Sequence, residues 1–409
     1  VLKSQLTLTF ALIFHIISYI IIFKRIEPYY IHFYAFIWWS YIILMDSIYS
    51  MKNGRYLILK NSIPLLIIIS AGFWCIFELI NLRIQNWFYI NLPKETIQRH
   101  IGYVLSYGTV IPALYVTKEI VHSIIGELKV IKAKALKHYP IYAISIGFVT
   151  LVLTLIIPEI FFGLAWVSVG FIFDGYNYKL GNRSFAGDIE KGYLGSFLAS
   201  MIAGLLCGIL WEFWNNWAIA KWIYTVPFFE DLKLFEMPVL GYIGFIVFGL
   251  ETITFVNFLE GLWSKKINVM IVTLLMVCIC VLTFTLIDRH TVFSRLARLD
   301  DIDFIEKDRL DAMRNEGIKT SYKIDKERLS EKEREYLDLM HLKGLGMENL
   351  SRLRQNNINN IHALSTLDEK ILSNIINEKN MRRVRVYLKA AKKNAPKMGR
   401  SHNKPNFSN

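Results

Sequence analysis

Glu212, Asn215 and Asn216 stand at i, i+3 and i+4, so a helix starting near Leu210 gathers one carboxylate and two amides on one face. Trp211, Trp214, Trp217 and Trp222 cover much of the remaining surface. Two chemistries suit this set. In the first, the residues line a cavity with indole walls: Glu212 gives or takes a proton, Asn215 and Asn216 orient a polar group, and Trp211, Trp214, Trp217 and Glu236 hold a lipid-like molecule. In the second, the indoles form an aromatic belt where a span meets the interface, and the Asn and Glu side chains face headgroups.

The acids continue downstream. Glu230 and Asp231 follow Pro227, and Glu236 precedes Met237-Pro238. Pro238 suits the first turn of a following helix, where its missing N–H is no loss, and this places Glu236 favourably at the helix N-terminus. Gly241, Gly244 and Gly249 would let neighbouring helices approach. Glu251 falls near mid-span, where an ionisable side chain is costly and serves either as a proton-transfer group or as a structural hydrogen-bonder.

These residues need a membrane to make sense. The 409-residue chain is 54% hydrophobic, with a mean hydropathy of +0.34, too apolar for an ordinary soluble globule. Runs of about 20 apolar residues can cross a bilayer as helices. They occur near 6–23, 29–49, 62–81, 101–121, 141–157, 159–174, 194–211, 237–260 and 267–287, with Pro158-Glu159 breaking one long run into two. The expected fold class is therefore all-α, a polytopic bundle of about nine spans (1–287) followed by a small helical domain. No cleavage motif follows the 6–23 run, which reads as an uncleaved first span.

Charge divides the chain at the same place. Residues 1–287 hold 21 Lys+Arg and 16 Asp+Glu, against 26 and 18 in 288–409. The net charge of +13 points first to positive-inside bias and anionic membrane lipids as partners. Alternate loops carry thirteen and seven Lys+Arg, which favours a cytoplasmic N-terminus. Nine spans would then put the tail outside, whereas Arg289, Arg295 and Arg298 argue for the cytoplasm; a re-entrant 211–235 would reverse the assignment.

Other polar groups are read more simply. Asp46 and Lys118 lie near span ends and suit the interface. Glu78, with Trp74 nearby and Asn81 three residues on, either snorkels or has a buried partner. Loop 174–193 reads as interfacial, with one short amphipathic turn. Cys75, Cys207, Cys278 and Cys280 sit in apolar runs as packing residues. The sequence has no phosphate-binding glycine loop, no H-E-x-x-H and no nucleophile elbow, and indicates no metal or other cofactor. No internal symmetry stands out.

In the tail, Phe293, Leu296, Leu299, Ile302 and Ile305 recur every three residues, which predicts an amphipathic helix within a connector (288–340). Residues 394–409 have a disordered composition. Between them, Lys343-Gly344-Leu345-Gly346 forms a glycine turn before Leu350, Leu353, Ile358, Ile361 and Leu364. This order resembles the helix-hairpin-helix module over 341–393. The resemblance implies nucleic-acid phosphate contact through Lys343, Gly344 and Gly346, reinforced by Arg352 and Arg354, or else a protein-contact role. Glu348 departs from that pattern, because an acid there repels phosphate.

The run from Cys207 through WEFWNNW, YTVPF and FEMPVLGYIGF to Glu251 resembles a family of uncharacterised prokaryotic multi-pass membrane proteins. This implies a cell-membrane protein without specifying an activity. Acids beside proline and aromatics in apolar spans also resemble, in residue type, membrane-embedded lycopene cyclases, in which acids protonate a polyene. Three functions are consistent with the sequence. The first is acid/base chemistry on a lipid or isoprenoid-type molecule by Glu212 or Glu251. The second is a membrane tether whose tail binds nucleic acid or a protein. The third is a transporter, which an inverted repeat would favour.

Overall fold

The computed structural model describes residues 2–59, 62–135, 137–228, 232–264 and 269–395. Glu230, Asp231 and the 396–409 part of the disordered-tail expectation lie outside the described residues. The chain forms two compact units, Val1–Phe293 and Ser294–Asn409. The fold class is all-α, as expected.

In the first unit the helices are α1 Leu2–Phe23, α2 Phe33–Asn53, α3 Ile63–Ile84, α4 Thr96–Tyr107, α5 Val110–Ile125, α6 Tyr139–Ile156, α7 Pro158–Phe161, α8 Ala165–Leu180, α9 Phe185–Glu190, α10 Gly195–Trp217, α11 Tyr242–Ser264 and α12 Val269–His290. Two short ladders interrupt them. Strand β1 (Trp87–Ile90) pairs antiparallel with β2 (Lys221–Tyr224), and β3 (Lys233–Leu234) pairs with β4 (Met237–Pro238).

Eight helical segments are long and apolar enough to cross a membrane. The expected span at 101–121 is broken into α4 and α5. Pro112 has no N–H to offer the Gly108 carbonyl, and α3 packs against Gly108 so closely that a Cβ there would meet Ile67 at 2.7 Å. Pro158 starts α7 and separates α6 from α8 at the expected break.

The ribbon constrains the number of crossings. β1 follows α3 and β2 follows α10, so their pairing puts both helix C-termini on one membrane face. With α6 and α8 each crossing once, α4–α5 must supply a further crossing between them. The end of α12 agrees, because Tyr89 N–H donates to Thr291 O at 2.8 Å and Phe293 N–H to Tyr89 O at 2.8 Å on the same face. Nine crossings satisfy both constraints, and beyond the end of α10 at Trp217 the described residues up to 235 form strands and turns rather than a re-entrant helix.

Two local expectations are corrected. Pro238 lies in β4, and α11 starts only at Tyr242. Glu236 sits in the β3–β4 turn, two residues before Pro238, which caps the 3₁₀ turn Val239–Gly241 that leads into α11, and its Oε1 lies 3.7 Å from Lys221 Nζ. Residues 293–305 do not form an amphipathic helix. They are extended, with one 3₁₀ turn at Leu299–Asp301 and a bridge from Arg298 to Thr320. Leu296, Leu299, Ile302 and Ile305 are nonetheless buried, so a period of three here reflects a chain that turns over its own core.

The second unit contains α13 Lys307–Asn315, α14 Glu331–His341, α15 Gly346–Gln355, α16 Ile361–Ser365, α17 Glu369–Ile376 and α18 Met381–Asn394. Its core includes Leu337, Leu345, Leu350, Leu353, Leu364, Leu372, Val384 and Tyr387. Ser330 and Glu333 form a capping box at the start of α14.

Candidate functional site

The β1–β2 ribbon organises the site. Side chains alternate along a strand, so Trp87 and Tyr89 of β1 share a face with Trp222 and Tyr224 of β2. The register pairs Trp87 with Tyr224 and Tyr89 with Trp222. That face lines a cavity of about 120 Å³, whose other walls include Trp74, Tyr107, Trp166 and Trp211. Its size is of the order of an engineered cavity that admits benzene, enough for a ring or a short stretch of an unsaturated chain.

Each strand is tied to a buried carboxylate behind the wall. Glu78, on α3, is fully buried. Its Oε1 accepts from Tyr89 OH at 2.5 Å, Trp74 Nε1 at 2.9 Å and Trp87 Nε1 at 3.0 Å, with Tyr107 OH at 3.5 Å. Tyr107 OH also donates to Tyr89 OH at 3.0 Å. Every one of these donors lines the cavity.

Glu212, on α10, is also fully buried. Its Oε1 accepts from Tyr224 OH at 2.9 Å. Its Oε2, like Glu78 Oε2, has no hydrogen-bond partner among the described residues. No Lys, Arg or His of the described residues forms an ion pair with either acid, so each carboxylate is surrounded by aromatic donors instead of countercharge. Such a group is costly to bury and signals function.

Amides set the strand positions. Asn215 Nδ2 donates to Trp222 O at 3.0 Å, and Trp222 N–H donates to Asn215 Oδ1 at 3.1 Å. Asn81 Nδ2 donates to Trp87 O at 2.9 Å, and the Asn86 and Trp87 N–H groups donate to its Oδ1 at 2.8 and 3.3 Å. Both amides are spent on backbone that a helix end would leave unpaired.

Positive charge reaches the cavity through Arg99, which is held in place from several sides. Asp288 accepts from its Nε at 2.7 Å and its Nη2 at 2.5 Å, and the Pro93 and Lys94 carbonyls accept from Nη1. Tyr103 OH donates to the same Asp288 at 2.8 Å. This bidentate pair joins α4 to α12.

The structure sorts the residues singled out from the sequence. Trp211 lines the cavity. Trp214 is buried and donates to Tyr19 OH at 2.9 Å, away from it. Trp217 and Asn216 are exposed, so the proposed three-residue polar face divides: Asn215 turns inward and Asn216 outward. Glu251 is buried between α8 and α11, accepts from Gly170 N–H at 3.1 Å, and does not line the cavity. Asp46 is buried near the end of α2, accepting from the Leu57, Ile58 and Leu59 N–H groups of the loop that follows. Lys118 is buried and pairs with Glu119 at 2.7 Å.

In the tail, Lys343, Gly344 and Gly346 adopt positive φ in a tight turn between α14 and α15. Gly344 and Gly346 are buried, and a Cβ on Gly346 would meet Ser294 Cβ at 2.8 Å. Arg352 donates to Ile376 O at 2.7 Å and Glu348 at 2.6 Å. The residues expected to touch phosphate thus have packing partners within their own unit.

Glu78, Tyr89 and Tyr224 are the site residues that the sequence search left out. The signal was present in Glu78-x-x-Asn81 followed by Trp87-x-Tyr89. No cluster of His, Cys, Asp and Glu able to hold a metal occurs among the described residues. No family model, curated protein or solved structure matches the chain.

Proposed function

We propose that this integral membrane protein admits the unsaturated part of a lipid or isoprenoid-type molecule to the aromatic cavity and exchanges a proton with it through Glu212 and Tyr224. The observation that carries this reading is Glu212 itself, a buried carboxylate bonded to a tyrosine that lines the cavity. With Glu212 protonated and the hydrogen bond reversed so that the acid donates to Tyr224 Oη, a proton passed from the acid to the tyrosine with release of the phenolic proton into the cavity leaves a carboxylate and a neutral tyrosine. The indole faces suit an electron-poor or cationic centre formed on the guest.

Glu212 is better placed than Glu251 for this role, because only Glu212 is linked to the cavity wall. Asn215 acts by holding Trp222. The test is E212Q in the native host, with lipids profiled at matched protein level. Accumulation of an unsaturated precursor is expected; an unchanged profile and phenotype would sink the proposal.

A further inference from the structure

We infer that the cavity is a duplicated site, built from two copies of one element at residues 34–93 and 162–227, and that Glu78 is the counterpart of Glu212 that positions the wall. The second half of this statement rests on the acid role proposed above for Glu212. The motifs run in the same order. Trp38-x-Ser40, Asp46, Arg55, Glu78-x-x-Asn81, Trp87-x-Tyr89 and Pro93 match Trp166-x-Ser168, Asp174, Arg183, Glu212-x-x-Asn215, Trp222-x-Tyr224 and Pro227. The second copy is longer between Asp174 and Glu212, where α9 is inserted.

Matched residues do matched work. Asp46 accepts from the Leu57 and Ile58 N–H groups, eleven and twelve positions on. Asp174 accepts from the Phe185 and Ala186 N–H groups, also eleven and twelve positions on. Asn81 and Asn215 each bracket the backbone of the strand tryptophan with a donor and an acceptor. Glu78 and Glu212 each take the strand tyrosine's hydroxyl.

Contacts between the copies are reciprocal. Trp166 of the second stacks on Phe77 of the first at 5.5 Å, and Trp38 of the first meets Trp211 of the second at 5.6 Å. Phe77 and Trp211 are the residues just before the two acids. The ribbon register is the one a twofold axis demands: about the Phe88–Ile223 pair, Trp87 opposite Tyr224 becomes Trp222 opposite Tyr89. Each copy holds two crossings, α2–α3 and α8–α10, and matched helices lie four crossings apart, so the copies run in the same direction and the axis lies along the membrane normal, as in parallel repeats.

The copies differ at the acids. Trp74, one turn before Glu78, donates to it, while the matching position before Glu212 is Gly208. Glu78 therefore collects indole and phenol donors on one oxygen, a job the carbonyl of Gln can do equally well. A proton-exchanging acid cannot be replaced in that way.

The test compares E78Q, E78A, E212Q and E212A in the full-length chain in its native host at matched protein levels. E78A should lose the lipid product and E78Q should rescue most of it, whereas both Glu212 variants should lower flux roughly a hundredfold. Equal loss in E78Q and E212Q, or loss in E78Q alone, overturns the division of roles. If no variant changes the lipids, the proposed acid chemistry fails, and positioning is judged from indole fluorescence of the purified chain. E78A, but not E78Q, should then shift the emission as Trp74 and Trp87 lose their acceptor. An unshifted E78A, or equal shifts in both, overturns the positioning role; should E78A fail to fold, a shift in E78Q does so.

Discussion

Glu78 on α3 and Glu212 on α10 sit at matched places behind the two strands of one ribbon, yet their surroundings differ. Around Glu78, two indoles and two phenols converge on a single oxygen. Around Glu212, one phenol does. A carboxylate surrounded by aligned donors is a fixed acceptor, and it holds the wall rigid. A carboxylate with one bond retains the freedom to change its proton inventory. The contrast shows how a duplicated frame can assign support to one copy and chemistry to the other.

The largest effect should come from removing the acids altogether. E78A leaves three close donors unpaired, and at about 1–3 kcal/mol per orphaned buried group it should cost at least about 3 kcal/mol. E212A orphans one donor and should cost about 1–3 kcal/mol. Thermal unfolding of the full chain in detergent checks the order, and equal losses would break the comparison. Next, N81A should cost more than N215A, each by about 1–3 kcal/mol or slightly above, because both hold a strand tryptophan's backbone and Asn81 also serves the Asn86 N–H. A larger loss in N215A would show that β2 depends on its amide in some further way.

Asp46 and Asp174 sharpen the comparison further. D46N and D174N each keep one acceptor oxygen and should lower stability by about 1 kcal/mol and to a similar extent, since Asp46 serves three N–H groups and Asp174 two N–H groups and the Tyr139 hydroxyl. The smallest effect is a control in the tail that should leave both copies untouched. The Arg328 guanidinium holds the Glu316 carboxyl below its ordinary range. At Glu333 partial burial pushes upward, but the Ser330 N–H and hydroxyl and the Arg309 guanidinium outweigh it and hold this carboxyl low as well. Depressed carboxyls contribute stability above the ordinary value of 4.5 and lose it as pH falls through the folded value. The tail's melting transition should therefore drop on acidification below about 4.5, and loss on raising the pH instead would refute the sign.

Apolar length made the spans legible, because crossing a bilayer needs a run that sequence displays directly. The break at Gly108 was not legible, since it depends on Pro112 together with a close approach by α3. Residues 293–305 misled because a period of three suits both a helix and a chain folded over a core. Residues 211–217 are helical as expected, but as the last turns of α10 rather than of a helix starting near Leu210, and the shared polar face is not formed. Successive residues on a helix differ by about 100°, and here that separates a buried Asn215 from an exposed Asn216. Glu78 was read alone, although its meaning lies in Asn81, Trp87 and Tyr89, which strand pairing brings beside their counterparts. The repeat escaped notice because its matches are few and an insertion offsets their spacing.

Tyr89 is bound on three sides. Its hydroxyl is bonded to Glu78, its neighbours pair with β2, and its backbone is stitched to Thr291 and Phe293 where the chain leaves α12. The last turn of the membrane unit is thus a handle fastened to a cavity wall. Tension along the chain at Phe293 is therefore shared between α12 and Tyr89, so mechanical load entering there also reaches the aromatic chamber.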